Sequence, residues 1–367
     1  MPQNTSTTPD QAGRWIITKF GGPDVLKWET WDPEAGLPAD QVLVRIITAG
    51  IAGADNIQRV GGYPDDRCLT PGFTPGYDFV GEVVALGSSL SKDGQLVVGD
   101  RVASMCVLGA HATHIILPPS ELIRIDYADD PVRVGALPLN YMTAWGMLRR
   151  SDVDLKPGSS ILIGSVSGGV GTAMSELVHA FDIGIKMIGT CSPSKFDYVK
   201  SLGVIPIDRN APDLVEQVRA LTNGEGVDVA YDAVGSEDSL RKSYKATKKD
   251  IGHVIVIGIM SEIASDGSGL VQGSLADAEA LLTSRLQPRM RFWGLVPAYY
   301  MPKRDLWLED FRTILEKVRE GVLVPRIAKL FRLSEAVEAH ENLISGTAVK
   351  GRMVFVVDED LATQHGL

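Results

Sequence analysis

Between Trp15 and about Pro119 the apolar positions come in short runs cut by Gly, Pro and Asp, as in "QVLVRII", "FVGEVVALG", "GDRVASMCVLG" and "HATHIILP". Short runs closed by turn residues predict strands and little helix. From Ala136 the period changes. The stretch "ALPLNYMTAWGML" predicts a helix and Ser160 to Gly164 a strand, after which Val170, Met174, Leu177, Val178 and Phe181 form one stripe of an amphipathic helix. The strand "IKMIGT" follows, then the helix "SKFDYVKSLG" closed by Gly203, the strand "VIPID" and the helix "PDLVEQVRALTNG" closed by Gly224. The strand "VDVAYDAVG", the helix "DSLRKSYKAT" and the strand "HVIVIG" continue the alternation. Such alternation predicts a parallel sheet wound on both faces. Ser261 to Gln287 is rich in Gly, Ser and Ala and partly helical, "MRFWGL" reads as a last strand, Asp305 to Glu320 as a surface helix and "GRMVFVVD" as a strand. The expected class is α/β, with a β domain preceding a doubly wound parallel-sheet domain and no internal repeat.

Composition narrows the class of function. A chain of 367 residues with 44% hydrophobic positions is long enough for two domains around sizeable cores. The formal net charge of -10 opposes non-specific attraction to nucleic acid and to anionic membranes. Cys68, Cys106 and Cys191 are too few and too scattered for a disulfide framework or a cysteine-rich metal site, which suits a reducing, cytoplasmic compartment. No apolar run is long enough to span a membrane, and Met1 to Gly13 reads as a disordered polar leader. His111 and His114 read as sharing one face of a strand, a pair without a third metal ligand. The basic run "RKSYKATKK" reads as a solvated helix face, Trp145 and Trp293 as core, and Trp28, Trp31 and Trp307 have no evident place.

The chemistry is concentrated at "SVSGGVGTA", Ser165 to Ala173. A strand, a glycine-rich turn and a helix in that order leave helix N-terminal N–H groups where an anion can sit. Gly168 and Gly169 allow a pyrophosphate close to the backbone, Gly171 allows close packing of the helix, and Ser167 and Val170 complete the expected cofactor contacts. The first glycine of the dinucleotide fingerprint is replaced by Val166. An NAD site offers a carboxylate at the end of the second strand for the ribose hydroxyls. Here Cys191, Ser192, Pro193, Ser194 and Lys195 follow "IKMIGT", and Arg209 follows "VIPID". A hydroxyl and two cations at the expected ribose position, without the carboxylate, favour the 2′-phosphate of NADPH. The plainer alternative is that both cations are solvated surface charges.

These stretches, with "TPGYDFVGEVVALG", "VGDRVA", "LKPGSSILIGSVSGGVG", "GTCSPSKFDYVKSLG", "GADNIQRVGGYP" and "GTAVKGRMVFVV", resemble the medium-chain dehydrogenase/reductase superfamily over nearly the whole chain. Within it the sequence is most similar to the zinc-free quinone oxidoreductase branch, including the zeta-crystallin and vesicle amine transport protein groups. The resemblance implies a GroES-like domain over 14–135, a Rossmann NADPH-binding domain over 136–297 and a return to the first domain over 298–367. Where zinc-dependent relatives carry Cys-His and a further His, this chain has Ala52-Gly53 and Tyr77, and the four cysteines of a structural zinc lobe are missing, so no metal is expected. The branch's loop keeps Asp55, Arg59, Gly61 and Tyr63, but Ala52 stands where relatives usually have Asn. By this resemblance Tyr63 is the candidate catalytic residue, a hydrogen-bond donor to a substrate carbonyl. Thr143, Gly258, Ile259 and Met260 are expected near the nicotinamide and Arg352 near the pyrophosphate. The implied activity is zinc-independent, NADPH-dependent reduction of a small electrophile, either a quinone or an α,β-unsaturated carbonyl, by a homodimer paired through the "MRFWGL" edge. A tailoring enoyl reductase of a biosynthetic pathway is the alternative among enzymes. A nucleotide-binding structural or membrane-associated protein with little turnover is the alternative outside them.

Overall fold

In the computed structural model, which describes residues 11–90, 94, 96–346 and 349–367, the chain divides into two units. The first takes residues before Asn140, Ser265–Gly269 and Ile327–Leu367, and the second takes Asn140–Ala264 and Leu270–Arg326. The expected leader lies mostly in residues 1–10, outside the described residues; the Ala12 carbonyl already accepts the Trp31 N–H at 3.0 Å.

Along the chain, described strands before the second unit are β1 (Gly13–Ile17), β2 (Leu26–Thr30), β3 (Val42–Ile51), β4 (Phe79–Leu86), β5 (Arg101–Ser104), β6 (His114–Leu117) and β7 (Ile123–Arg124), with helix α1 (Gly53–Arg59) after β3 and α2 (Pro131–Val134) after β7. In the second unit α3 (Met142–Arg149) precedes β8 (Ser160–Ile163), α4 (Gly169–Ala180), β9 (Lys186–Cys191), α5 (Phe196–Ser201), β10 (Ile205–Asp208) and α6 (Leu214–Leu221). Then come β11 (Val229–Asp232), α7 (Glu237–Ala246), β12 (His253–Val256), α8 (Leu275–Arg285), β13 (Met290–Phe292) and α9 (Arg304–Arg319). The first unit is completed by β14 (Ile327–Arg332), α10 (Ala336–Ser345), β15 (Arg352–Val356) and α11 (Glu359–Gln364).

β3 organises the first unit. Its alternate faces are both buried, and it pairs antiparallel with β4, with β6 over Val42–Arg45 and with β15 over Thr48–Ile51. The sheet runs β14-β15-β3-β4-β5-β7, and Ile17, Val44, Phe79, Val102, Phe331 and Phe355 belong to its core. In the second unit six parallel strands lie in the order β10-β9-β8-β11-β12-β13, that is third-second-first-fourth-fifth-sixth. That is the doubly wound dinucleotide order, and it places the ligand crevice at the carboxyl ends of the strands where the order reverses, between β8 and β11. β8 is buried along its whole length, as a central strand covered on both faces must be.

Several expectations change in detail. The helix predicted over "ALPLNYMTAWGML" opens as a π-helical turn, Leu137–Tyr141, before α3, because Pro138 cannot donate to a regular ladder. The return to the first unit comes at Ile327, later than 298, because α9 is tied into the second unit. Asp310 of α9 pairs with Arg150 at 2.7 Å, and Trp307 and Phe311 are fully buried beside it. His111 and His114 do not share a strand face. They are three residues apart, an odd step that alternation cannot put on one side. His111 precedes β6, fully buried, with Nε2 on the Gly50 carbonyl at 3.1 Å, whereas His114 is half-buried beside Thr113. In the basic run, Arg241 and Lys242 pair with Asp238 and Lys248 with Asp228. Trp145 and Trp293 are buried, and of the three unplaced tryptophans Trp28 packs edge-on against Trp15 while Trp307 stacks on Phe311.

Candidate functional site

The turn after β8 is suspended between its two neighbouring strands. The Gly164 N–H donates to Tyr231 O at 2.8 Å on one side, and the Val166 N–H donates to Thr190 O at 3.1 Å on the other. Ser165 takes a left-handed conformation, φ 56°, to make the corner. Gly168 is the N-cap of α4, and no side chain caps the helix's first N–H groups. A Cβ at Gly171 would stand 2.5 Å from Val166 O and 2.6 Å from Val166 Cα, so this glycine admits the turn's own backbone against α4. The Val166 side chain is fully buried and fills the space above Gly189 of β9, where a Cβ would lie 2.6 Å from Val166 Cγ1. The glycine missing from the fingerprint at 166 is thus matched by one on the adjacent strand.

Ser192, Lys195 and Arg209, the residues expected at the ribose end, follow two neighbouring strands. β9 and β10 are in register with Asp208 opposite Cys191, so Ser192, Lys195 and Arg209 leave adjacent strand ends. The Arg209 N–H donates to Cys191 O at 3.0 Å, and the Ser192 and Ser194 hydroxyls are 3.2 Å apart. Burial pushes the Cys191 thiol up, and both Lys195 and Arg209 are close enough to oppose that shift. Asp208, which sequence reasoning passed over, contributes a carboxylate to the same neighbourhood and is held by the Asn210 N–H at 3.0 Å. Gly258, Ile259 and Met260 lie apart from these, at the end of β12, three strands from β9 and against the segment that follows β11. The Met260 N–H donates to Ala233 O at 3.3 Å, the Ser261 N–H to Val234 O at 2.8 Å, and a Cβ at Gly258 would meet Ala233 O at 2.7 Å. Ile259 points into the core while Met260 is exposed. Thr143 is half-buried in the first turn of α3, and Ser167 is buried in the turn itself.

In the first unit, α1 starts after β3 without a capping side chain at Ala52. Asp55 instead accepts the Ala52 N–H at 2.7 Å, and it is wholly buried. Desolvation raises its carboxyl to about 7, against the Ala52 N–H, the Arg352 charge and the Gly76 N–H. Four residues beyond α1, the Tyr63 phenol shares a hydrogen bond with the phenol of Tyr77. Burial pushes Tyr63 up to about 12, so it stays protonated, a donor at neutral pH. Arg352, expected near the pyrophosphate, is buried within the first unit. Its guanidinium is locked on the buried carboxylate of Asp78, with 1% of the side chain exposed, and Gly50 has no side chain because a Cβ there would collide with that pair. Burial raises Asp78 to about 6 against the Arg352 charge, and the Leu139 N–H donates to its second oxygen at 3.0 Å. Among the described residues no three His, Cys, Asp or Glu side chains are grouped to hold a metal.

Residues 38–127 match the alcohol dehydrogenase GroES-like domain family, and residues 169–285 match the zinc-binding dehydrogenase family. The 2-haloacrylate reductase of Burkholderia sp is 31% identical over 336 residues, covering 89% of this chain and 94% of the relative. The synaptic vesicle membrane protein VAT-1 homolog of Danio rerio is 27% identical over 332 residues, and the match covers 89% of this chain and 66% of that protein. The solved structure of Escherichia coli quinone oxidoreductase complexed with NADPH superposes with a TM-score of 0.78 at 25% identity, covering 94% of this chain and 100% of the other. The relatives support an oxidoreductase of the kind that uses a nicotinamide cofactor. The chain belongs to the medium-chain dehydrogenase/reductase superfamily, in its quinone oxidoreductase branch.

Proposed function

We propose that the protein is a zinc-independent oxidoreductase that uses NADPH to reduce a quinone or an α,β-unsaturated carbonyl compound. The observation that carries this reading is the meeting of Ser192, Lys195 and Arg209 at the ends of β9 and β10, beside an uncapped helix at Gly168. The residues fit a dinucleotide: the glycine turn leaves its N–H groups to a pyrophosphate, and the cations suit a 2′-phosphate. When bound, the reduced nicotinamide supplies hydride. The chain's own part is to hold the cofactor and, through the Tyr63 hydroxyl, to donate a hydrogen bond to the acceptor oxygen as negative charge develops there. The 2-haloacrylate reductase relative is named for an acceptor whose double bond adjoins a carboxylate, which supports the conjugated-carbonyl half of the reading. Ala52-Gly53 and Tyr77 supply no thiolate or imidazole, which supports independence of zinc. Among the described residues no helix is long and apolar enough to cross a membrane. A cytoplasmic homodimer joined along the open β13 edge, where Phe292 is 49% exposed, completes the proposal.

The deciding experiment follows oxidation of NADPH and of NADH with 1,4-naphthoquinone, trans-2-hexenal and 2-chloroacrylate, with and without chelator. Turnover of at least one acceptor, preference for NADPH and indifference to chelation are expected. Absence of turnover with all three, equal use of NADH, or loss of activity on chelation would refute the corresponding part of the reading.

A further inference from the structure

Beyond being neither His nor Cys, Tyr77 has a place beside Tyr63. Its ring is 3% exposed and stands edge-on to Tyr63, with centroids 5.8 Å apart and planes at 83°. The two phenol oxygens share a hydrogen bond in which either could be the donor. The surroundings decide the direction. A phenol O–H sealed from water must give its proton to the partner at hand or remain an unsatisfied donor, which costs more than the bond itself is worth. Tyr63 is only half-buried, on the loop after α1, and can turn its own proton elsewhere. Tyr77 is therefore the donor and Tyr63 the acceptor. The charged and titratable neighbours agree. Burial, together with Tyr63, Asp55 and Asp65, holds the Tyr77 proton on tightly, while the Tyr77 hydrogen bond partly relieves the upward push of burial on Tyr63. Asp65 and Cys68 also raise Tyr63, and Arg67 lowers it.

We propose that Tyr77 is a positioning residue for the reduction: its buried hydroxyl donates to the Tyr63 oxygen, aims the Tyr63 proton at the oxygen of the acceptor, and stabilises the charge that Tyr63 takes on as it donates. The inference rests on the reading of Tyr63 as the donor to substrate. It assigns a function to a side chain that sequence comparison registers simply as an absent zinc ligand.

Tyr77→Phe keeps the ring and its edge contact and removes the donor. With NADPH and the best acceptor of the three above, kcat should fall roughly three- to tenfold, the worth of one neutral hydrogen bond, with NADPH affinity unchanged and the solvent deuterium isotope effect increased. In a Tyr63→Phe background the same substitution should add nothing, because it acts through the Tyr63 oxygen alone. The protein without cofactor should show a slowly exchanging hydroxyl proton in its NMR spectrum that disappears in either single variant. An equal loss in both backgrounds, or a hydroxyl resonance that survives Tyr77→Phe, would assign Tyr77 to packing and overturn the proposal. Impaired Tyr63→Phe with fully active Tyr77→Phe overturns this inference alone, whereas fully active Tyr63→Phe overturns the donor reading and this inference with it. If Tyr77→Phe does not fold, 3-fluorotyrosine at position 77, a stronger donor of nearly the same size, should raise turnover; unchanged or lower turnover counts against the proposal.

Discussion

Asp55→Asn should change how stability depends on pH, and the sign follows from burial. The native carboxyl titrates at about 7 and the unfolded one near 3.8. Between these values the native state holds a proton that the unfolded chain has released, so stability falls as pH rises through that window. The full gap corresponds to about 4 kcal/mol, and the part between about pH 5 and about pH 7 to about 3 kcal/mol, as an upper figure for a group in a coupled cluster. Asparagine removes the titration and can still accept the Ala52 N–H that Asp55 accepts. His111, lowered to about 4 by burial, acts in the opposite direction: its contribution is lost as pH falls below its unfolded value. The wild-type profile alone therefore shows a partial cancellation, and the informative quantity is the difference between variant and wild type. Hydrogen exchange of the β3 and β4 amides reports opening of the first unit without requiring the whole chain to unfold in one step. Relative to wild type, Asp55→Asn should gain stability steadily from pH 5 to pH 7. Parallel profiles for the two proteins would refute the argument that burial, and not the Ala52 N–H, dominates at Asp55.

Three further outcomes are expected. Lys195→Ala should weaken NADPH binding by about 1.5–3 kcal/mol, the worth of a charged hydrogen bond, while leaving NADH nearly untouched; fluorescence titration of both cofactors checks it, and equal losses would remove Lys195 from the 2′-phosphate. Gly171→Ala puts a methyl 2.5 Å from backbone that cannot move aside and should cost roughly 1–3 kcal/mol of stability together with cofactor affinity, measured by denaturation of the second unit and by titration. Light scattering at micromolar concentration should give a dimer, and Phe292→Lys, on the exposed end of β13, should yield monomer; a monomeric wild type would dismiss the edge pairing.

Periodicity made most of the second unit readable. Its strands are buried on both faces and its helices on one, so apolar runs and stripes map directly onto β8 to β13 and the helices between them. The strand ends were equally legible, because Ser192, Lys195 and Arg209 each follow a strand by a residue or a few and parallel pairing brings those ends together. What escaped was contact at a distance along the chain. Tyr63 and Tyr77 are joined across a loop without periodicity, and Arg352 meets Asp78 because β15 and β4 flank β3, a pairing order that no local pattern encodes. Arg59 shows the same limit, since its buried guanidinium reaches the carbonyl of Gly267, from a segment that reads as part of the nucleotide domain. His111 was misplaced for a simpler reason: its step to His114 is odd, and a strand face repeats every second residue.

The shared space of Val166 and Gly189 also has a historical consequence. One isopropyl group occupies a volume to which two positions, on neighbouring segments, both have access. A lineage that moved the side chain from one position to the other could not begin at 189, since any Cβ there meets Val166 within bonding-clash range. It would have to pass first through glycine at 166, accepting a void, and only then refill the void from β9. The order of the two substitutions is thus dictated by sterics, with one passable route in each direction, and linear fingerprints that insist on glycine at the first position are blind to sequences that have taken it.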